Sequence, residues 1–549
     1  MSQKLSKLSE ARMSYQPKLP QVLRHGALKV AISSGEATQS VADQDRIKAL
    51  FPNTYGIPTV KFVEGVSPEA RPLNVGVVLS GGQAPGGHNV IAGIYDGIKS
   101  ISAGSKVFGF LGGPAGLENE DYIIIDDAKM NAYRNTGGFD IIGSGRTKLE
   151  DTDQFDRCIE VANKHSIDAI VIIGGDDSNT NGAVLAEYFK AKGSKTCVVG
   201  CPKTIDGDLK NEHIEVSFGF DTAVKTYSEL IGNIARDANS AKKYWHFIKL
   251  MGRSASHIGL EAALQTQPNI CLISEEVEKK QMTLAQVVSE MADVVEARGN
   301  MGKNFGIALI PEGLVEFIPE IKTLIGELND TLAHHEAEVN AIEEMSERVE
   351  RVCTLITKPS AEVLNSLPPG IQAQLLLDRD PHGNVQVSLI ETEKLLIEMV
   401  AKEIKSRPSA KGSFKALNHF FGYEGRCAMP SNFDADYCYS LGYSAAVLAH
   451  NNMTGYMSSV ADLIKGSDSW KSGGVPTTMM MNMERRHGED KPVIQKALVL
   501  LDAAPFKYFA ANREAWAISE SYLYPGAIQY YGPGEVCDQT NHTLVLERT

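Results

Sequence analysis

Two short polar segments contain the side chains best suited to chemistry. Residues 174–178 read Gly-Gly-Asp-Asp-Ser, residues 202–208 read Pro-Lys-Thr-Ile-Asp-Gly-Asp, and each follows a short apolar run. Carboxylates are ligands that Mg²⁺ prefers, and a lysine can place positive charge beside a phosphoryl group during transfer. The four carboxylates and the lysine therefore indicate a magnesium-assisted phosphoryl-transfer site.

The spacing within these segments suggests separate roles. Asp206 and Asp208 lie two positions apart, so they face the same side if the segment is extended. One could accept the proton of an attacking hydroxyl group while the other helps to hold the metal or its waters. Asp176 and Asp177 are adjacent and alternate in direction along an extended chain, so at most one should bind the metal directly. The alternatives are a surface pair of turn aspartates and a polar loop in which Lys203 pairs with its neighbouring aspartates.

A third segment is rich in glycine. Residues 80–89 read Ser-Gly-Gly-Gln-Ala-Pro-Gly-Gly-His-Asn and lie between a strand-like run and a helical run that begins at Val90. Glycines after a strand let backbone N–H groups approach an anion, and the helix N-terminus adds a favourable dipole. The segment predicts a phosphate site, with a tight strand-to-helix connection as the alternative. It is neither a Walker loop nor a GxGxxG motif.

Strand-like runs alternate with stretches of helical length along the body of the chain. This alternation predicts an α/β fold with mainly parallel sheets. In such folds ligands bind at the carboxyl ends of the strands. The predicted strands are Val75–Leu79, Ala169–Ile173, Thr196–Val199, Phe247–Leu250, Ile270–Ile273, Phe305–Ile310 and Ala497–Leu501.

A chain of 549 residues is too long for one ordinary core. Residues 316–407 break the alternation with two amphipathic helical patterns, over 342–356 and 391–404, and indicate a helical insertion. We expect two Rossmann-like α/β domains with these additions. The expected parts are an N-terminal extension over 1–72, a first α/β domain over 73–240, a second over 241–315 and 408–500, the helical insertion over 316–407, and a C-terminal segment over 501–549 packed on the body.

Composition argues against several classes of function. The formal net charge of −14 argues against binding to nucleic acid or to an anionic membrane. No apolar run approaches the roughly 20 residues that span a bilayer, and the N-terminus lacks an apolar secretory segment, so we expect a cytoplasmic protein. The eight cysteines lack zinc-ligand spacing and predict reduced, mostly structural thiols.

Five motifs occur in the order typical of a known family. They are Gly-Gly-Asp-Asp-Ser, Pro-Lys-Thr-Ile-Asp-Gly-Asp, Met251-Gly252-Arg253, Pro311-Glu312-Gly313 and Tyr423-Glu424-Gly425-Arg426. Over roughly residues 74–434 the chain resembles the phosphofructokinase superfamily, in particular its pyrophosphate-dependent members in their long bacterial and plant form. The resemblance implies a glycolytic enzyme that reversibly transfers a phosphoryl group from pyrophosphate to the C1 hydroxyl of fructose 6-phosphate, giving fructose 1,6-bisphosphate and phosphate.

On the donor side, the resemblance implies a role for each matched residue. Asp176 is similar to the family's magnesium-linked aspartate, so Mg²⁺ is the implied cofactor. Asp206 is similar to the general base that accepts the proton of the C1 hydroxyl, with Thr204 and Asp208 flanking it in the catalytic segment and Lys203 beside the transferring group. The first α/β domain is thus the implied donor domain. The implied pyrophosphate-binding residues are Gly81, Gly82, Arg146, Asp177 and Lys203.

On the sugar side, the resemblance makes the second α/β domain the sugar-phosphate domain. Lys243 and Tyr244 match positions that reach the sugar phosphate from a neighbouring subunit, so a homo-oligomer is implied, with a dimer favoured over a tetramer. Allosteric effectors and related substrates such as sedoheptulose 7-phosphate stay open. The implied fructose 6-phosphate residues of the chain itself are Thr204, Asp206, Met251, Gly252, Arg253, Glu312, Tyr423 and Arg426.

Two side chains bear on the identity of the donor. ATP-dependent relatives have glycine where this chain has Asp177 and Lys203. Asp177 adds bulk and negative charge where an inner phosphate of a nucleotide would lie, while Lys203 offers a partner to a small polyanion, so pyrophosphate is the expected donor. The alternatives are an ATP-using phosphofructokinase that tolerates Asp177 and a regulatory, non-catalytic subunit. The presence of Asp176, Lys203 and Asp206 argues against the latter.

Overall fold

The structure is a computed structural model that describes residues 7–377, 385–486, 489–526 and 540–549. Its strands, in chain order, are β1 (Val30–Ala37), β2 (Pro58–Glu64), β3 (Asn74–Leu79), β4 (Lys106–Phe110), β5 (Tyr122–Ile125), β6 (Ala169–Gly174), β7 (Cys197–Thr204), β8 (Phe218–Gly219), β9 (Trp245–Leu250), β10 (Ile270–Cys271), β11 (Gly306–Pro311), β12 (Ala416–Phe421), β13 (Tyr456–Ala461), β14 (Lys471–Pro476), β15 (Met481–Arg486) and β16 (Glu489–Ile494).

The helices connect most of these strands. In chain order they are α1 (Lys7–Met13), α2 (Gln44–Leu50), α3 (Gly87–Ile101), α4 (Pro114–Glu118), α5 (Asp127–Asn131), α6 (Thr152–Lys164), α7 (Asp176–Ala191), α8 (Phe220–Ala241), α9 (His257–Thr266), α10 (Ser274–Lys279), α11 (Leu284–Asn300), α12 (Leu314–Phe317), α13 (Pro319–Asn340), α14 (Met345–Cys353), α15 (Lys358–Ser366), α16 (Pro369–Leu377), α17 (Thr392–Ser406), α18 (Tyr423–Arg426), α19 (Asn432–His450), α20 (Ala504–Ile518) and α21 (His542–Arg548). None of these helices is both long and apolar enough to cross a membrane.

The chain divides into two compact units. The first contains the described residues up to Thr226, residues 423–497 and the segment with α21, and the second contains residues 227–422 and most of the segment with α20. Residues 423–497 therefore group with the first unit, whereas the sequence analysis placed 408–500 in the second α/β domain. The physical reason is strand pairing, because β13 pairs with β7 and β14 pairs with β2.

The first unit is built on a ten-stranded sheet. Its strand order is β1-β2-β14-β13-β7-β6-β3-β4-β5, with β8 paired to β7. The central strands from β13 to β4 run parallel, and antiparallel strands flank them on both sides. The α/β class with mainly parallel pairing is thus confirmed. The N-terminal extension contributes β1 and β2 to this sheet.

The middle of the sheet places the three polar segments at one edge. Strand β6, residues 75–79 of β3 and residues 197–202 of β7 are apolar and buried, as expected for parallel strands covered on both faces. Leu79 is opposite Ile173, and Gly174 is opposite Pro202, so the three strands end nearly in register. The glycine-rich segment follows β3, and the two aspartate segments begin at the last residues of β6 and β7, which brings their residues together.

The second unit contains a four-stranded, fully parallel sheet in the order β10-β11-β9-β12. Its core continues from Trp245 and Phe247 of β9 into the helices α13 to α17. The block expected to be a helical insertion is therefore helical in its described residues. The predicted helix over 391–404 is α17, while the pattern over 342–356 forms the shorter α14.

One predicted strand is wrong. Residues 497–501 form no strand, because Leu498 and Leu500 are 41% and 64% exposed and the segment pairs with no other strand. Strand β7 runs further than expected, to Thr204, and β10 is only two residues long. The other predicted strands lie within one or two residues of β3, β6, β9 and β11.

The cysteines of the described residues are free thiols. Burial raises the pKa of Cys197 and of Cys201 to about 12, so both stay protonated and unreactive at neutral pH. Cys537 lies outside the described residues. The prediction of reduced thiols is confirmed for the cysteines that the structure describes.

Candidate active site

The glycine-rich loop after β3 is held by backbone contacts. Ser80 pairs with Gly145 as an isolated parallel bridge, and the N–H of Gly81 donates to the carbonyl of Gly145 at 2.9 Å. Gly81 has a φ of +82°, a conformation that glycine adopts without strain. Arg146, which is exposed, directly follows Gly145 in the chain. Two of the residues expected at the donor site, Gly81 and Arg146, thus lie on neighbouring backbone segments.

Gly82 accommodates the guanidinium group of Arg426. A Cβ atom at Gly82 would collide with Nη1 of Arg426, and that nitrogen donates to the carbonyl of Gln83 at 3.2 Å. The sequence analysis assigned Arg426 to the sugar site and Gly82 to the donor site. The structure places the two in contact within the first unit.

Asp176 and Asp177 begin helix α7. The sequence analysis treated them as part of an extended segment, but the chain turns into the helix directly after Gly175. Asp177 is exposed, whereas Asp176 is partly buried and its Oδ2 atom is buried without a hydrogen-bond partner. Both carboxylates lie in the first turn, where the helix dipole stabilises negative charge.

Ser178 and Asn179 fix the start of α7 against the neighbouring strands. The hydroxyl of Ser178 donates to Oγ of Ser80 at 2.8 Å, which links α7 to the glycine-rich loop. The side-chain amide of Asn179 donates to the carbonyls of Gly174 and Cys201, at 2.6 and 3.2 Å. These contacts hold the donor loop, Asp176 and the end of β7 in one rigid arrangement.

Lys203 is a buried cation at the end of β7. Its side chain is 6% exposed, and its Nζ lies 3.5 Å from the position that a Cβ at Gly81 would occupy. Burial, followed by the nearby positive charge of Arg426, lowers the pKa of Lys203 to about 8, and neighbouring aspartates oppose this shift. The strand therefore presents an ammonium group directly beneath the donor loop.

Asp206 and Asp208 lie in a bend rather than in an extended strand. The N–H of Asp206 donates to Oγ1 of Thr204 at 3.0 Å, and Gly207 has a φ of +74°. Burial and the carboxylates of Asp206 and Asp176 raise the pKa of Asp208 to about 7. Because the segment is not extended, the reason for expecting the two carboxylates to face the same side does not apply. The two carboxylates still interact electrostatically.

Lys496 is a further charged residue of this cluster, and the sequence did not predict it. Its Nζ lies 3.6 Å from Oδ2 of Asp176 and 3.9 Å from Oδ2 of Asp208, and it follows strand β16. No local pattern marks this lysine, because pairing of distant strands brings it to the carboxylates. The cluster in the first unit thus combines three carboxylates with two lysines and one arginine.

The second unit brings Met251, Gly252 and Glu312, three of the predicted sugar residues, close together. Met251 and Gly252 follow β9, and Glu312 follows β11. The N–H of Gly252 donates to Oε2 of Glu312 at 2.9 Å, and the N–H of Met251 donates to the carbonyl of Phe421 at 2.9 Å. Glu312 is 5% exposed, so this contact also pairs a buried carboxylate oxygen.

The backbones of the two motifs in the second unit approach each other closely. A Cβ atom at Gly313 would collide with the carbonyl oxygen of Arg253, so the Pro-Glu-Gly motif requires a glycine at that position. The backbone of Arg253 therefore lies against Gly313, the residue after Glu312, near the carboxyl end of the sheet. Arg253 is exposed.

Lys243 and Tyr244 lie at the other end of β9. They precede Trp245, the first residue of the strand, whereas Met251 follows Leu250, its last residue. Six residues of strand span about 20 Å. The structure therefore separates these two residues from Met251, Gly252 and Glu312 of the same chain. Tyr423 lies in α18 and is 73% exposed.

Comparison with known proteins identifies the family of the chain. A sequence model described as phosphofructokinase matches residues 74–449. The chain is 55% identical over 557 aligned residues to the pyrophosphate--fructose 6-phosphate 1-phosphotransferase of Treponema pallidum, covering 99% of this chain and 97% of the relative. A protein of the same name from Porphyromonas gingivalis is 54% identical, with 99% of each chain covered.

Solved structures agree at the level of the fold. The pyrophosphate-dependent phosphofructokinase from Marinobacter aquaeolei superposes with a TM-score of 0.54 at 16% identity, covering 82% of this chain and 93% of that one. The corresponding protein of Nitrosospira multiformis gives a TM-score of 0.54, with 85% and 97% covered, also at 16% identity. Matched over most of its length in sequence and sharing this fold, the chain belongs to the phosphofructokinase family.

Proposed function

We propose that the chain catalyses the reversible, magnesium-dependent transfer of a phosphoryl group from pyrophosphate to the C1 hydroxyl of fructose 6-phosphate. The observation that carries the proposal is the grouping of Lys203, Asp176, Asp206 and Asp208 at the carboxyl ends of β6 and β7. Relatives that are 53–55% identical over 99% of the chain bear the name of this activity. Phosphoryl transfer depends mainly on positioning and on positive charge around the transferring group, which such a cluster supplies.

Asp206 is the proposed general base. It follows β7 after a bend, and its backbone is fixed by the hydrogen bond to Thr204. Its own position is partly exposed, so a substrate hydroxyl can reach the carboxylate. Asp208 is buried, and because its pKa is raised to about 7 its carboxyl group is partly protonated near neutral pH, so the role of base is assigned to Asp206.

Positive charge on the donor side comes from Lys203, Arg146 and Arg426. Lys203 is fixed by burial beneath Gly81, while Arg426 is held against the carbonyl of Gln83. Arginine can bind phosphate oxygens in a forked geometry, and lysine acts as a compact point charge. The backbone N–H groups of the glycine-rich loop complete a site suited to a small polyanion.

Asp176 is the residue that fits a magnesium ion. No three His, Cys, Asp or Glu side chains form a metal-binding group in the described ranges. Mg²⁺, however, usually takes one or two carboxylates, several waters and substrate phosphates. The buried Oδ2 of Asp176, which has no hydrogen-bond partner, suits such a role. When bound, the ion neutralises charge on the phosphate oxygens.

The donor is pyrophosphate rather than ATP in this proposal. Asp177 is exposed at the first turn of α7, where it adds negative charge beside the donor loop. A nucleotide with a further phosphate at this place would meet that charge, whereas a free pyrophosphate ends before it. Lys203 then serves the smaller donor.

Met251, Gly252, Arg253 and Glu312 form the proposed cradle for the sugar phosphate. Glu312 can accept hydrogen bonds from sugar hydroxyls, and Arg253 can bind the 6-phosphate. Lys243 and Tyr244 lie a whole strand away from Met251, so we propose that they serve the site of a neighbouring subunit in a homodimer. Closed two-fold symmetry is the commonest arrangement of homo-oligomers and gives both subunits the same shared site. We place the enzyme in the cytoplasm.

The experiment is to measure fructose 1,6-bisphosphate formed by purified protein with Mg²⁺ and fructose 6-phosphate, with pyrophosphate or ATP as donor. Activity with pyrophosphate alone supports the proposal, and activity mainly with ATP refutes its donor. Asp206→Asn should lower kcat by about 10²- to 10⁴-fold with little change in either KM. The surface substitution Asp153→Asn on α6 is the matched control and should behave as the parent.

A further inference from the structure

Lys496 lies beside the carboxylates of the active site, yet it comes from a part of the chain beyond the matched family region, which ends at residue 449. Its Nζ is 3.6 Å from Oδ2 of Asp176 and 3.9 Å from Oδ2 of Asp208. We propose that Lys496 is a pyrophosphate-binding residue, which balances the two carboxylates in the free enzyme and contacts the phosphate oxygens when the donor is bound. This inference rests on the proposed function.

The backbone on either side of Lys496 is fixed by three hydrogen bonds. The N–H of Ile494 donates to Oγ1 of Thr180 at 3.1 Å, and the N–H of Gln495 donates to the carbonyl of Met480 at 2.9 Å. The N–H of Ala497 donates to the carbonyl of Asp208 at 2.7 Å. The lysine is thus attached both to the helix that begins with Asp176 and to the residue that carries the second carboxylate.

An apolar cluster holds the β15–β16 hairpin in this place. Ile494 and Met481, which are paired across the hairpin, are buried with Ala183 of α7 and with Leu209, the residue after Asp208. This packing fixes the direction in which the chain leaves β16. The packing of the first unit therefore fixes the position of the backbone at Lys496.

The geometry allows the ammonium group of Lys496 to leave the two carboxylates and contact phosphate oxygens of the donor. Both distances exceed the 2.7–3.2 Å of a direct hydrogen bond, so the ammonium group attracts the two carboxylates without being hydrogen-bonded to these oxygens. Its side chain is 29% exposed, on a flexible stem. A cation beside Asp176 and Asp208 also lowers the repulsion that these carboxylates exert on a bound polyanion.

The test compares the parent protein with Lys496→Met in two binding measurements. The first is titration with pyrophosphate in the absence of any divalent metal, followed by calorimetry. Loss of one charged hydrogen-bonding group should weaken this binding about ten- to a hundredfold. The second is titration of the free protein with Mn²⁺, followed by electron paramagnetic resonance. Mn²⁺ should bind severalfold more tightly, because a neighbouring cation has been removed.

Controls separate this role from a structural one. Lys491→Met changes another lysine of the same hairpin, one that lies 3.7 Å from Glu150, and should leave both affinities unchanged. Lys496→Arg should restore most of the pyrophosphate affinity. If Lys496→Met does not fold, Lys496→Gln keeps a polar side chain of similar reach and carries the same expectations.

Tighter Mn²⁺ binding with unchanged pyrophosphate affinity would mean that Lys496 only balances the carboxylates, and the inference would be wrong. Two unchanged affinities would overturn it as well. Lack of turnover by the unsubstituted protein refutes the proposed function. The comparison of pyrophosphate affinities still decides the role of Lys496 in that case, so the two failures are distinguishable.

Discussion

His88, the second residue of α3, should make the stability of the chain depend on acid. The imidazole is fully buried, and burial lowers its pKa from 6.5 to about 3, with a smaller contribution from the positive charge of Lys129. Thr136 donates its hydroxyl to the carbonyl of Tyr133, so its oxygen accepts from Nδ1 of His88, at 2.8 Å. The ring is therefore neutral, with its hydrogen on Nδ1.

The other ring nitrogen explains why a second proton is unfavourable. Nε2 accepts a hydrogen bond from the backbone N–H of Ile141 at 3.3 Å, and Oδ1 of Asp140 lies 3.5 Å from it. A proton on Nε2 would face that N–H group. The carboxylate of Asp140 could stabilise the charged ring, but it is 57% exposed, so water screens its charge.

The size of the stability loss at acidic pH follows from the pKa values of His88 in the unfolded and the folded chain. Below pH 6.5 the unfolded chain takes up a proton at this histidine, whereas the folded chain does not until about pH 3. Stability therefore falls as the pH drops through this window and is independent of this group above it. At pH 5 the gap is 1.5 pH units, which corresponds to about 2 kcal/mol.

The assay is urea unfolding of the parent and of His88→Gln at pH 8 and pH 5. All other titrating groups are shared, so the change in the stability difference between the two proteins isolates His88. The advantage of the parent over the variant should shrink by about 2 kcal/mol at pH 5. Equal differences at the two pH values would refute the reasoning, as would a ¹⁵N resonance of His88 that titrates between pH 8 and 5.

Two further predictions concern the donor and the helix packing. Replacing Asp177 and Lys203 together by glycine should shift the ratio of kcat/KM for pyrophosphate and ATP toward ATP; an unchanged ratio would contradict the donor argument. Gly442→Ala places a Cβ against the carbonyl oxygen of Val90, where α19 crosses α3, and should lower stability by about 1–3 kcal/mol. Gly326→Ala in α13 meets no atom within 4 Å and should raise stability by up to about 1 kcal/mol. Thermal unfolding of Gly442→Ala and Gly326→Ala measures both stability changes. Equal changes in the two variants would contradict the packing argument.

The central strands could be predicted from the sequence because their signal is local. Residues of β3 and β6 are apolar without interruption, and polar segments begin where the strands end. The run over 497–501 has the same composition, but its alternate leucines face solvent and the chain there has no strand partner. Composition alone does not distinguish a buried strand from an irregular segment with one buried residue, Val499.

The proximity of Asp176, Lys203, Asp206 and Asp208 was predictable from the sequence, but the directions of these side chains were not. The conformation after β6 and β7 depends on a helix start at Asp176 and on the positive φ of Gly207, which no spacing rule reveals. Lys496 was missed for a different reason. It reaches Asp176 through a hairpin and an apolar cluster formed by residues far apart in the chain. Local patterns carry no information about such contacts.

The order of the strands in the large sheet has a consequence for folding during synthesis. Strand β2 pairs with β14, so the ribosome must translate more than 400 further residues before β2 meets this neighbour at residues 473 and 474. Until then β2 has only β1 as a neighbour, and an isolated pair of antiparallel strands is at best marginally stable in water. Pairings of such long separation form slowly and leave strand edges open to aggregation. The first unit should thus mature only after nearly the whole chain has emerged, and slower translation of the N-terminal half should not hasten it.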